Sequence, residues 1–88
     1  MRLVPILIRR MRLAQLARNA SGVVAGIDTS ADDPIARRLG ELGFVPGERV
    51  RVVAVAPLGG DPLVVEIGDT RFALRRSEAA RIRLQEGA

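Results

Sequence analysis

The chain has 88 residues, 48% of them hydrophobic, and a formal net charge of +4 in which all 14 basic residues are arginine. A chain this short buries only a little over ~60% of its unfolded surface, which leaves room for one core. Cysteine and histidine are both absent, and with them go disulfides, thiolate nucleophiles, imidazole bases and Cys/His zinc sites.

Met1 to Arg10 reads as an N-terminal extension ahead of a domain spanning residues 11–88. Its apolar stretch Leu3 to Ile8 falls far short of the ~20 residues that cross a bilayer. Pro5 interrupts it, and Arg9, Arg10 and Arg12 follow where a signal peptide would place small residues. A cytoplasmic location is therefore the default expectation. The same stretch could form a short strand that pairs with its copy in a second molecule, so a homo-oligomer is left open.

From Leu13, the run LAQLAR sets Leu13 and Leu16 three residues apart and predicts one or two helical turns. Val23, Val24 and Ile27 predict a first strand, which Gly22 and Gly26 allow to bend. Asp32-Asp33-Pro34 then starts a helix, because a carboxylate can accept first-turn amide hydrogens and proline suits the first helical position. Ile35, Leu39 and Leu42 are expected on its buried stripe, with Arg37 and Glu41 paired on the exposed side. Gly43 fits the left-handed residue that closes such a helix, and Phe44 can fold back on the core. Pro46-Gly47 reads as a turn.

Glu48 to Ala56 alternates with Val50 and Val52 inward, then shifts phase to Val53 and Val55, which predicts a bulge. Pro57 to Pro62 is rich in turn formers. Leu63, Val65 and Ile67 make the next strand, Gly68-Asp69 a two-residue hairpin turn with glycine first, and Phe72 and Leu74 the inward side of its partner. Ser77 is expected to cap a single turn to Ala80, ahead of a last strand carrying Ile82 and Leu84. The expectation is a mainly β fold, a small barrel of about five strands with one short N-terminal helix and one helix inserted after the first strand. Closure would remove exposed strand edges.

Ser21, Thr29, Ser30, Thr70 and Ser77 have no histidine or lysine to activate them, and no carboxylate sits in an apolar segment that would raise its pKa. The chain therefore reads as a non-enzyme with no resident cofactor. Asp28, Asp32 and Asp33 form the one acidic cluster; their oxygens suit a weakly held divalent cation, and equally a loop with a helix cap. The net charge admits an alternative role as a basic nucleic-acid-binding barrel. Stacking platforms for bases are lacking, because Phe44 and Phe72 are the only aromatics and Phe72 alternates inward.

Three ordered stretches together resemble a known family. Ala36 to Gly47, ARRLGELGFVPG, looks like the helix and turn of the FeoA (ferrous iron transport protein A) family. Ala56 to Pro62, APLGGDP, is similar to that family's APLGDP loop with Gly60 added, and Phe72 to Ala79 resembles its strand-to-turn segment. The resemblance implies an SH3-like barrel in the bacterial cytosol. It further implies a protein that acts on the permease FeoB, whose cytosolic GTPase domain is linked to Fe²⁺ uptake, and touches the membrane only through it. The surfaces expected to meet such a partner are the helix side with Arg37, Arg38 and Glu41, the loop with Pro57, Leu58, Gly59 and Asp61, and the corner with Arg75 and Arg76.

Overall fold

The computed structural model describes residues 11–85, so the extension at Met1 to Arg10 lies outside the described residues. The chain first makes a single 3-10 turn, Leu13–Gln15, closed by the Arg12 amide donating to Gln15 Oε1 at 2.7 Å. Five strands follow: β1 (Ser21–Ile27), β2 (Arg49–Val55), β3 (Leu63–Ile67), β4 (Thr70–Leu74) and β5 (Ile82–Leu84). Helix α1 (Pro34–Leu42) joins β1 to β2, and the short α2 (Arg76–Ala79) joins β4 to β5.

All pairings are antiparallel, and the sheet order is β4-β3-β2-β1-β5. The expected phase shift in β2 is a register irregularity between Val52 and Ala54, which leaves Val53 without an opposite residue on β3. A second irregularity in β1, between Val24 and Gly26, falls where that strand passes to β5. Such bulges add local twist and coil a sheet around its own contents. The contents are aliphatic: Leu13, Val24, Leu39, Phe44, Val50, Val52, Leu63, Val65, Leu74 and Ile82 all lie fully buried in one cluster.

Helix α1 starts and stops as its end residues dictate. Asp33 accepts the Ala36 amide at 3.1 Å, and Pro34 occupies the first helical position. At the far end Gly43 takes φ 114°, and the Phe44 amide reaches back to the Leu39 carbonyl at 3.1 Å. This closure drops the Phe44 ring onto the core. The buried stripe differs from expectation at one position: Ile35 is 42% exposed, and Ala36 takes the inward place beside Leu39, which is buried as expected. Asp33 is also bound to Arg81 from the approach to β5, a tertiary contact that ties the first turn of α1 to the sheet.

The turn after β4 also corrects the expectation. Helix α2 begins at Arg76 and not at Ser77. Its cap is built by Glu78, whose Oε1 accepts the Arg75 amide at 2.9 Å, while Asp61 accepts the Arg76 amide at 2.9 Å. The hairpin turn holds as predicted, with Gly68 at φ 57° between paired Ile67 and Thr70.

Candidate functional site

Asp28, Asp32 and Asp33 do not assemble around a common centre. Asp28 accepts from both Arg12 and Arg83, and these guanidinium groups, Arg12 foremost, hold its carboxyl below the usual range. Asp33, with its side chain only 6% exposed, accepts from Arg81 Nη1 at 2.7 Å, from the Ala36 amide, and from Ser30 N and Oγ at 3.3 Å. Asp32 stands between them at φ 51°. Among the described residues no group of three or more His, Cys, Asp or Glu side chains is placed to hold a metal ion.

Arg81, with the Ala36 and Ser30 amides, keeps the Asp33 carboxyl far below the ordinary carboxylate range. A carboxyl whose folded pKa is depressed contributes stability that is complete above its unfolded value, ~3.9, and is lost as pH falls toward the folded one. Stability of the native chain is therefore expected to decline as pH falls below ~4. Asp33→Asn, which keeps a capping oxygen but not the charge, should lower stability at neutral pH and flatten that decline. Thermal melts between pH 7 and pH 2 provide the check, and equal acid slopes for the two proteins would contradict it.

The three surfaces expected to meet a partner are brought partly together. Arg38 from α1, Asp61 and Pro62 from the β2–β3 loop, Ala73 and Arg75 from the β4 end, and Glu78 from α2 line one shallow open groove. Arg38 Nη2 crosses it to Glu78 Oε2 at 2.7 Å. Arg37 and Glu41 are exposed on α1 outside this groove and form no ion pair among the described residues. Glu78 was not among the expected surface residues; its place three residues after Arg75, the spacing of a helix-capping glutamate, was the available signal.

Arg76 is an internal brace. Its Nη1 donates to the Ala14 carbonyl at 2.6 Å and its Nε to the Gly60 carbonyl at 3.2 Å, while its amide goes to Asp61. The added Gly60 fits this role: it takes φ 67°, and a Cβ there would lie 2.7 Å from Arg76 Nη2. The Ala56 amide closes the loop base on the Pro62 carbonyl at 3.1 Å. Thus held, the loop carries Pro57, Leu58 and Gly59 exposed at its tip, and Leu58 is 90% exposed. An apolar side chain on a pinned loop can enter a partner's pocket with little ordering cost.

A nucleic-acid surface gains no support from this arrangement. Phe44 is buried and Phe72 packs against it with ring centroids 6.1 Å apart, so both rings are engaged with the core. The exposed Arg49 and Arg51 stand beside Glu48 and Glu66 along one groove, which mixes the signs a phosphate backbone would meet. No described helix is long and apolar enough to cross a membrane.

Comparison with known proteins adds the following. A family model described as the FeoA domain matches residues 11–86. The Fe(2+) transport protein A/Fe(2+) transporter FeoB fusion protein of Porphyromonas gingivalis is 35% identical over 75 residues, which are 85% of this chain and 8% of that protein. This chain therefore spans a small fraction of that relative's length. The crystal structure of Stenotrophomonas maltophilia FeoA complexed with zinc, described as a procaryotic SH3 domain protein, matches with a TM-score of 0.78. It is 55% identical and covers 85% of this chain and 89% of that one. The solution structure of iron(II) transport protein A from Clostridium thermocellum matches with a TM-score of 0.75 and 36% identity, over 86% of this chain and 45% of that one.

Proposed function

The chain belongs to the FeoA family, and on that premise we propose that it is a non-enzymatic accessory protein of ferrous iron uptake that docks on a FeoB-type permease from the cytoplasmic side. The relative from Porphyromonas gingivalis supports the choice of partner, since there the two functions named share one polypeptide. Fusion holds two modules at high effective concentration, an arrangement suited to a contact that is weak between separate chains.

The observation that carries the docking reading is Leu58, 90% exposed at the tip of a loop tied down by Arg76. Beside the loop base, the groove between Arg38, Asp61, Arg75 and Glu78 offers both signs of charge at a polar rim. An apolar anchor within such a rim is the usual anatomy of a protein contact. Arg37 and Glu41 extend that rim along α1.

Calorimetric titration of the full chain into the cytosolic part of a FeoB-type permease, with and without bound nucleotide, tests the proposal. Burying a leucine contributes ~1.5–3 kcal/mol, so Leu58→Asp should weaken binding by at least ~10-fold. Its melting temperature should stay near that of the native chain, because Leu58 packs on little. Absence of binding in both nucleotide states would overturn the partner; undiminished binding by Leu58→Asp would remove the loop from the contact.

A further inference from the structure

We propose that the free edge of β4 is a self-association site, where a second copy of this chain pairs its own β4 antiparallel about a twofold axis beside Phe72. The two-residue turn Gly68-Asp69 places Ile67 opposite Thr70. In such a hairpin the residues flanking the turn exchange both backbone hydrogen bonds, and bonded pairs recur at every second residue. Thr70, Phe72 and Leu74 therefore turn their backbone groups toward β3, while Arg71 and Ala73 turn theirs away. Among the described residues no hydrogen bond is made to the outward backbone groups of either.

The other end of the sheet is different. The outer edge of β5 is covered by the chain at Met11 and Arg12, through the Leu84 amide to the Met11 carbonyl at 3.0 Å and the bridge between Arg12 and Arg83. The outward amide of Arg75 is also occupied, by Glu78. Among the described residues the stretch at Arg71 and Ala73 is left uncovered, and the open groove runs beside Ala73 and Arg75. A strand edge left unpaired is a template for another strand.

Charge selects the occupant and the register. Outward-facing residues must oppose outward-facing residues. Setting Arg71 against the partner's Arg71, or against the partner's Arg75, apposes like charges, which destabilises a cross-strand pair. Setting Arg71 against the partner's Ala73 avoids both and brings Arg75 opposite the partner's Asp69. Arg75 and Asp69 are exposed, and neither has an ion-pair partner among the described residues. By symmetry the pair forms twice, so the edge is complementary to itself, as a twofold interface requires. Five residues of edge bury less than the ~1,200 Å² of a stable interface, so the dimer is weak and concentration-dependent.

Sedimentation equilibrium of the full chain over a concentration series, with amide hydrogen exchange at the same concentrations, tests this. A monomer–dimer equilibrium is expected, with exchange at Arg71 and Ala73 slowing as the dimer fills. Arg75→Asp should raise the dissociation constant at least ~10-fold by opposing two aspartates, and adding Asp69→Arg should return it to within ~3-fold of the native value. Three results would overturn the proposal: a monomer at every concentration, a double variant no better than the single one, or a dimer in which the Arg71 and Ala73 amides exchange as fast as in dilute solution.

Discussion

Truncation of Phe44 to alanine is expected to lower the melting temperature by ~15 °C or more and to leave a substantial unfolded population at 37 °C. Phe44 is fully buried and is one of only two aromatic residues in the chain. It holds α1 to the sheet twice over. Its ring packs on Phe72, with centroids 6.1 Å apart and planes tilted by 55°, and its amide closes the helix on the Leu39 carbonyl. Alanine keeps the amide bond and empties the ring site, a loss of ~3–5 kcal/mol where the surroundings cannot collapse. A domain of this size has ~5–15 kcal/mol in total, so a large share of the margin goes. Phe44→Leu, which refills much of the volume, should recover more than half of the shift. Circular dichroism melts of the three proteins give the comparison, and a drop below ~5 °C for Phe44→Ala would show that the core repacks around the vacancy.

Elements governed by local chemistry were legible in the sequence. Asp33-Pro34 and Gly43 bound α1, Gly68 turns the hairpin, and the change of phase after Val52 is a real bulge. Each of these depends on the conformational preference of one or two residues, and neighbours some distance along the chain do not override it. Ile35 was misplaced because helical spacing alone accommodates either Ile35 or Ala36 beside Leu39. The choice depends on how α1 is seated on the sheet, to which Arg81 contributes by holding Asp33 from 48 positions away. Ser77 was misplaced because the cap it would have provided comes from Glu78 and Asp61.

The candidate site was legible only in pieces. The loop, the α1 face and the Arg75/Arg76 corner stand out in the sequence as separate motifs, but that one expected residue of each, Asp61, Arg38 and Arg75, lines a single groove is a product of the tertiary fold. Arg38 and Glu78 are 40 positions apart and Arg76 and Ala14 are 62 apart. Strand alternation running on from Leu74 separates the exposed Arg75 from the inward Arg76, but no local pattern names Gly60 and Ala14 as the carbonyls that Arg76 reaches.

That division between neighbouring arginines leads to the second large effect. Arg76→Ala should cost ~1.5–3 kcal/mol of stability, and it should also weaken the proposed permease docking ~10-fold although its guanidinium is engaged by backbone carbonyls of this chain. Two carbonyls, of Gly60 and Ala14, lose a charged donor at once, and the loop loses the tie between Gly60 and the 3-10 turn. A loop that samples several shapes offers Leu58 in the competent one only part of the time, and the measured affinity falls by that fraction. Lysine should not rescue it, because a single ammonium lacks the planar fork that reaches both carbonyls. Amide exchange at residues 58–61 separates the two effects. Faster exchange with weaker docking, while Arg75→Ala leaves the exchange unchanged, identifies Arg76 as a positioning residue for the loop. Faster exchange with undiminished docking would mean that the loop's shape is irrelevant to the partner, and the contact would then have to lie on α1.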